Sequence, residues 1–231
     1  MKTRYFYGYN IVVAGFLVQA VCIGAMFTYG VFFKEFETAF GWSRALVSGA
    51  SSAAFLVMGI VGVIAGRLND TIGPRILIAA SGVSLGVGYL LMSQIETPWH
   101  LYLFYGGLVG IGFSTHDVIT LSTVARWFVR RRGMMTGMVK VGTGAGQFVV
   151  PLIAAALITA LGWRQAYLVI GGVCIVALLA VARMMKRDPA QIGLLPDGDS
   201  RGKIKKPRRP DAPSLSFQKA SKTLSFWTLC F

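Results

Sequence analysis

Three ionisable side chains lie inside otherwise apolar stretches of the sequence, where each charge is costly to bury. His116 and Asp117 are neighbours in "FSTHDVIT", and Lys140 follows 23 positions after Asp117 in "MMTGMVKVGTGAGQ". An acid, an imidazole and an amine in such surroundings could form an ion pair, carry a proton or attract an anion. His116 and Asp117 would point about 100° apart on a helix, with no nucleophile at a suitable spacing. The three residues therefore do not indicate an enzyme.

The composition predicts that lipid is the solvent of this chain. Of 231 residues, 55% are hydrophobic and 14% charged, and the mean hydropathy is +0.62. One soluble core cannot hide so much apolar surface. The net charge of +14 does not indicate a nucleic-acid partner, because 11 of the 23 Lys and Arg lie between Arg183 and Lys222 and most others fall in short gaps between apolar runs. Cys22, Cys174 and Cys230 have no paired spacing, so neither a disulfide framework nor a metal or cofactor site is expected.

Six apolar runs are long enough to cross about 30 Å of hydrocarbon. They are unbroken and do not alternate, which favours helices over barrel strands. The runs are Tyr9–Phe33, Ala45–Ala65, Ile76–Ile95, Leu101–Val124, Met134–Leu161 and Ala166–Met185. From the helical rise, Asp117 lies ~13.5 Å from Arg126, and Lys140 ~12 Å from Arg132, at the same membrane edge. Their side chains could therefore meet between the fourth and fifth spans.

The basic residues between the spans predict the orientation. The N-terminus and the second and fourth gaps are rich in Arg and Lys, whereas the alternate gaps are poorer or balanced by acids. The positive-inside rule then places both ends of the segment in the cytoplasm. We expect a multi-pass protein of a bacterial inner (plasma) membrane.

Beyond the sixth span the chain changes character. We expect a six-span bundle over residues 1–185, a cytoplasmic basic linker rich in Pro and Gly over 186–222, and the start of a truncated seventh span over 223–231. A chain that stops inside an apolar segment is expected to be an incomplete half. The run "RGKIKKPRR", Arg201 to Arg209, is read either as a lipid or partner contact or as solvated linker.

The second gap carries a recognisable signature. It reads "GRLNDTIGPR", and Asp70 is placed to cap or face a helix N-terminus. Gly66, Asp70, Gly73 and Arg75 have the spacing of the loop signature of the major facilitator superfamily. "RWFVRRRGMMTGMVKVGTGAGQFVVP" from Arg126 resembles its monocarboxylate and oxalate/formate branch. So do "GYNIVV", "YGVFFKEF", "FGWSRALVS", "GWRQAY" and "RDPAQIGLLPDG", in family order over essentially the whole chain.

The resemblance implies the N-terminal half of a twelve-helix transporter, an all-α membrane protein whose six-helix bundle consists of two three-helix repeats. The loop from Gly66 to Arg75 would brace the two halves during conformational gating. The substrate would be a small organic anion, a mono- or dicarboxylate, moved by antiport or by symport with a proton or cation. The partners would be the substrate, the bilayer and the missing C-terminal half. Phe27 and Gly106 stand where members of the family carry a lysine and an arginine, which leaves anion exchange or coupling to another cation open beside a proton. Thr71 stands where the loop signature usually has a basic residue, which affects a charge contact of the loop.

Polar stripes within the spans supply the candidate substrate contacts. Gln19 and Tyr29 lie on the first span, His116 on the fourth, and Lys140 and Gln147 on the fifth. The resemblance implies that spans one and four line the cavity. Asp117 and Lys140 are either a structural pair that locks two helices or a site that exchanges partners with substrate. An exporter of drug-like compounds and a non-transporting scaffold or sensor remain alternatives.

Overall fold

Six long helices follow one another through residues 6–198, which are the residues that the computed structural model describes. Each corresponds to one of the six predicted spans, so the predicted all-α bundle is confirmed. We label them α1 to α6, and each is long and apolar enough to cross a membrane: Gly8–Phe40, Arg44–Asn69, Pro74–Met92, Pro98–Trp127, Arg132–Leu161 and Trp163–Met184.

The helix ends follow backbone chemistry rather than the edges of the apolar runs. α1 continues to Phe40, beyond the predicted Phe33, and ends where Gly41 adopts a left-handed φ of 64°. α2 begins after Ser43, whose hydroxyl accepts a hydrogen bond from the Leu46 N–H, as N-cap residues do. α3 begins after Gly73, whose φ of 87° suits only glycine, and it has no side-chain cap. Asp70 was expected to cap or face a helix N-terminus, and the capping role is wrong for α3, whose N-cap is Gly73.

The packing of the helices has the pattern expected of two three-helix repeats. α1 packs most extensively against α5, α2 packs mainly against α4, and α3 packs against α6. In two repeats, α1, α2 and α3 correspond to α4, α5 and α6. The α1–α5 contact then corresponds to the α4–α2 contact, and the α3–α6 contact corresponds to itself. The bundle thus repeats its own contacts, as transporter bundles built from internal repeats do.

Two glycines let α5 approach the backbone of α1 closely. A Cβ atom added at Gly146 would lie 2.6 Å from Ala20 Cα, and one at Gly142 would lie 3.0 Å from Phe16 Cα. No side chain larger than hydrogen fits at such separations, and small residues are the usual means of close packing between membrane helices. Gly137 and Gly144 on the same helix have no neighbouring atom within 4 Å. Only one face of α5 is therefore held by the bundle.

α4 is interrupted, although its sequence reads as one continuous span. Residues Tyr102–Val109 form a π-helical segment, and a turn at Ser114 and Thr115 separates Gly110–Phe113 from His116–Trp127. π-helical segments within longer helices occur frequently at functional sites. The turn places His116 and Asp117 in the first turn of a new helical segment, where the helix dipole favours negative charge.

The chain leaves α6 and packs back onto the end of the bundle. We call residues 186–198 the exit segment; it contains a short 3-10 helix at Pro189–Ile192 and a tight turn at Pro196–Gly198, where Asp197 has a positive φ. The indole N–H of Trp127 donates to the Lys186 carbonyl over 2.9 Å, and residues up to Gly198 belong to the same compact unit as the helices. The expected linker of residues 186–222 therefore begins with a packed portion. Its remainder, including Arg201 to Arg209, and the expected seventh span lie outside the described residues.

Candidate functional site

A cluster of polar side chains forms where α1, α4 and α5 cross. Asp117 Oδ1 on α4 accepts hydrogen bonds from Lys140 Nζ on α5 at 2.5 Å and from Gln19 Nε2 on α1 at 2.7 Å. The acid and the amine lie in contact, as the depth estimate from the sequence predicted. Three helices thus converge on a single carboxylate oxygen.

Gln19 is the buried centre of this cluster. Its side chain is inaccessible to solvent, and its Nε2 also lies 3.2 Å from both the His116 carbonyl and Thr120 Oγ1. Its Oε1 accepts a hydrogen bond from Thr143 Oγ1 on α5 at 3.0 Å. A buried amide is stable only when both its donors and its acceptor are satisfied, and here α4 and α5 supply the partners. Gln19 therefore fixes the register of α1 against α4 and α5.

His116 is held by its own helix and faces the carboxylate. Its Nδ1 lies 2.5 Å from the Phe113 carbonyl oxygen, which only accepts, so this nitrogen carries the proton. Its Nε2 lies 3.5 Å from Asp117 Oδ2, a contact that is attractive when Nε2 is protonated as well. The imidazole of His116 therefore bonds within its own helix. It is placed to respond to the charge of Asp117.

Exposure divides the cluster into two sides. The side chains of Asp117 and Lys140 are 43% and 42% exposed, whereas Gln19 is fully buried and His116 is 7% exposed. The ion pair consequently opens to the outside of the bundle, and the amide and the imidazole support the carboxylate from within. An anion that approaches from the open side meets the ammonium group of Lys140. If the anion replaces Asp117 on the Lys140 ammonium group, Asp117 still accepts the hydrogen bond from Gln19.

Two predicted contacts lie away from this cluster. Tyr29 is buried; its hydroxyl donates to the Val47 carbonyl of α2 at 2.6 Å, and its ring lies 4.1 Å from that of Tyr105. Gln147 is exposed on α5, seven positions beyond Lys140. The structure therefore brings together Gln19, His116, Asp117 and Lys140 and leaves Tyr29 and Gln147 outside the group.

The predicted gating residues surround the turn between α2 and α3. Asp70 Oδ1 accepts from Arg126 Nη2 at 2.6 Å, which ties this turn to the end of α4. The same guanidinium lies 3.8 Å from Asp188 Oδ2 in the exit segment. Gly66 packs near Val118 of α4, Gly73 provides the left-handed turn, and Arg75 is exposed. Arg126, the partner of this turn, was not predicted from the sequence.

Thr143 is a further member of the cluster that was not predicted from the sequence. This residue follows Lys140 by three positions, so one helical turn brings both onto the face of α5 that meets α1 and α4. A threonine between Gly142 and Gly144 in an apolar run was the available signal. Hydroxyl groups in membrane helices commonly bond across helix pairs, which is the role that Thr143 has here.

Comparison with known proteins gives consistent matches. The model of the Major Facilitator Superfamily matches residues 15–231. Monocarboxylate transporter 13 of Rattus norvegicus is 31% identical over 164 residues, which cover 71% of this chain and 38% of that protein. Monocarboxylate transporter 14 of Homo sapiens is 26% identical over 185 residues, covering 80% and 36%. The uncharacterized MFS-type transporter YhjX of Escherichia coli is 24% identical over 177 residues, covering 77% and 44%.

A solved structure shares the fold. The inward-open xylose transporter XylE from E. coli superposes with a TM-score of 0.63 at 17% identity, over 79% of this chain and 49% of that one. At this identity the likeness shows the fold alone. The chain spans less than half the length of each of these proteins.

Proposed function

We propose that this chain, which belongs to the major facilitator superfamily, contributes one bundle of a secondary transporter for a small organic anion. The members of this superfamily are transporters and not enzymes. The proposed substrate is a mono- or dicarboxylate, moved by alternating access through antiport or ion-coupled symport. A second six-helix bundle would complete the cavity. Similarity to proteins named monocarboxylate transporters supports the substrate class.

One observation carries the proposal: the ammonium group of Lys140 is half-exposed and is bound to an acid that has a second donor. When the cation of an ion pair binds another anion, a carboxylate with no other hydrogen-bond donor is left as an uncompensated charge. Here Gln19 holds Asp117 Oδ1 at 2.7 Å, and His116 faces Oδ2 at 3.5 Å. An incoming carboxylate can therefore replace Asp117 on Lys140 at a modest cost. A permanent lock between two helices would not need this support.

The same geometry suggests how an ion would be coupled to the substrate. When a substrate carboxylate takes Lys140, Asp117 loses its cation and becomes the group that gains from binding a proton or another cation. His116 is the adjacent proton carrier, because its Nε2 faces Asp117 Oδ2. Symport would use that added ion, whereas antiport would return Asp117 to Lys140 as the first anion leaves.

The exposed helices are consistent with a partner bundle. α5 and α2 are the least buried spans: 11% and 22% of their apolar stretches are buried inside the bundle. On α5 the exposed residues include Lys140 and Gln147 as well as apolar side chains. Lipid alone would favour a wholly apolar face. We therefore propose that the polar part of this face meets the second bundle across the substrate cavity.

Ligand binding tests this site without requiring transport. The chain in phosphatidylcholine nanodiscs is titrated with lactate and oxalate, with lactamide as the neutral analogue, and thermal stabilisation is measured. Lys140→Gln should weaken lactate binding by about tenfold or more, because it removes a charge-assisted hydrogen bond. Lys140→Arg should retain most of the affinity. Lys34→Gln, at an exposed lysine of α1, is the matched control and should behave as the wild type.

Asp117→Asn distinguishes a site in which Asp117 exchanges partners with the substrate from a permanent ion pair between two helices. If substrate competes with Asp117 for Lys140, removal of the competing charge should raise the affinity for lactate several-fold. Unchanged binding in both Lys140→Gln and Asp117→Asn, at normal abundance, would contradict the proposal. Proteoliposomes that hold the 231-residue chain alone are expected to show no carboxylate uptake.

A further inference from the structure

A cavity lies at the end of the bundle where α3 begins and α6 ends. Its volume is about 460 Å³, and it lies between the turn that precedes α3 and the start of the exit segment. None of the residues of the Asp117 cluster lines it. It is therefore separate from the proposed substrate site, although Gly73 and Arg75 of the predicted gating loop belong to its lining.

The charged side chains that line this cavity are all basic. Three basic side chains line it, Arg75, Lys186 and Arg187, together with the amide of Gln191. Among the described residues that form the lining, none is acidic. The nearest carboxylate in contact is Asp188, whose Oδ2 lies 3.3 Å from Arg187 Nε and is shared with Arg126. The cavity consequently retains an excess of positive charge.

The backbone adds to this positive potential. α3 is 19 residues long, and its N-cap, Gly73, makes no side-chain hydrogen bond to the first turn. Uncapped N–H groups at the start of a helix carry partial positive charge. This contribution is secondary to that of the three side chains, but it points into the same region because Gly73, Pro74 and Arg75 all line the cavity.

We infer that this cavity binds the phosphate group of an anionic phospholipid. The cavity lies where two spans leave the apolar layer, which is the level of the headgroups. Ile72 and Ile76 also line it and are 45% and 58% exposed, so they offer an apolar surface beside the cations for the glycerol and upper acyl chain. Basic pockets at this level between membrane helices are suited to acidic headgroups.

The chemistry that recognises a lipid phosphate also recognises a free phosphate ion. The two sources differ in what they need from the protein. A free ion needs only the cations, whereas a lipid also uses the exposed isoleucines and is present at high local concentration at this level. The apolar part of the lining therefore favours the lipid.

The test measures lipid retention by native mass spectrometry. The full chain is released from phosphatidylcholine nanodiscs with and without a phosphatidylglycerol fraction, and the retained lipids are identified. The wild type should retain phosphatidylglycerol in preference. Arg75→Gln with Arg187→Gln should reduce this preference by about fivefold per arginine, or about 25-fold together. Arg75→Gln alone, at an exposed residue, serves as the variant with the least effect on folding.

Matched controls decide between a site and diffuse charge. Arg67→Gln with Arg183→Gln removes two exposed arginines from the last turns of α2 and α6, at the same membrane end and outside the cavity. This variant should retain phosphatidylglycerol as the wild type does, and an equal loss in both double variants would overturn the proposal. In phosphatidylcholine nanodiscs, inorganic phosphate should not stabilise the protein. Stabilisation by phosphate equal to that by phosphatidylglycerol would overturn the lipid assignment in favour of the free ion.

Discussion

At the level of single residues, the support of Asp117 depends on an amide that carries no charge. Gln19 bonds to Asp117, to Thr120 and to the His116 carbonyl, and it accepts from Thr143. Charge alone would have drawn attention to Asp117 and Lys140, but a half-exposed ion pair contributes little stability by itself. The buried amide is costlier to disturb because its partners lie in low dielectric.

Replacement of this amide should destabilise the bundle. Gln19→Leu keeps the approximate volume but leaves Thr143 without its acceptor and Asp117 Oδ1 with Lys140 alone. We expect the free energy of unfolding to fall by about 2 kcal/mol, since buried polar groups would lose their partners. Thermal unfolding of the purified chain in nanodiscs, followed by tryptophan fluorescence, measures this.

Gln147→Leu is the control for the same chemical change at an exposed position of α5. It should alter stability by less than about 0.5 kcal/mol. Equal losses in the two variants would show that the buried hydrogen bonds of Gln19 do not hold the three helices together.

At the level of the helices, α1 and α5 are the pair on which the site depends, and glycine sets their separation. Gly146→Ala adds a methyl group 2.7 Å from the Ala20 carbonyl carbon and 2.6 Å from its Cα. These are backbone atoms that cannot move aside, so the helices must separate. We expect a loss of about 1–3 kcal/mol in stability, typical of overpacking. Thermal unfolding again measures the loss.

Gly144→Ala makes the same change two residues earlier, where no atom lies within 4 Å. It should be neutral or stabilising by up to about 1 kcal/mol, because alanine favours the helix. In Gly146→Ala, the separation of α1 from α5 should also weaken carboxylate binding. Gly144→Ala should bind carboxylate as the wild type does. A Gly146→Ala protein as stable as the wild type would contradict the close approach.

The six helices were predictable from the sequence because long apolar runs in lipid have only one hydrogen-bonded solution. The interruption of α4 was not. The stretch "GGLVGIGFST" contains four glycines and ends in two hydroxyl residues, yet it reads as one apolar span. Tertiary bonds decide the conformation there: Ser84 donates to the Leu108 carbonyl, and Thr115 donates to Ser81 across to α3. No periodicity in α4 alone encodes those partners.

The site was predictable in part for a related physical reason. Charged residues in an apolar run stand out, and helical rise placed Asp117 and Lys140 at equal depth. Which way a side chain points depends on neighbours that are distant in sequence. Tyr29 therefore bonds to Val47 rather than facing the cluster, and Thr143 reaches Gln19, 124 positions away.

At the level of the whole molecule, the exit segment joins parts of the bundle that are distant in sequence. Asp197 Oδ2 accepts the backbone N–H groups of Val129 and Arg130, which precede α5, at 3.0 and 2.9 Å. Asp188 and Asp70 share Arg126 at the end of α4. The turns before α3 and α5 and the end of α6 are thus connected at one end of the bundle. A rocking motion of the bundle would carry this end as one piece.

Asp197 is the residue on which this connection should depend most. Its side chain is 8% exposed, and its backbone has a left-handed φ of 58°, which aspartate adopts more readily than most residues. Asp197→Gly keeps the backbone free to adopt this conformation but removes the acceptor of two N–H groups. Asp197→Asn keeps an acceptor and loses the charge.

Hydrogen exchange measured by mass spectrometry on peptides covering residues 128–132 and 186–198 should therefore be about tenfold faster in Asp197→Gly, since charge-assisted bonds contribute about 1.5 kcal/mol or more. Asp197→Asn keeps an acceptor without the charge, so its exchange should lie between that of the wild type and that of Asp197→Gly, and peptides from the middle of α3 should not change in either variant. If exchange is unchanged in Asp197→Gly, packing of the exit segment rather than these hydrogen bonds holds the end of the bundle together.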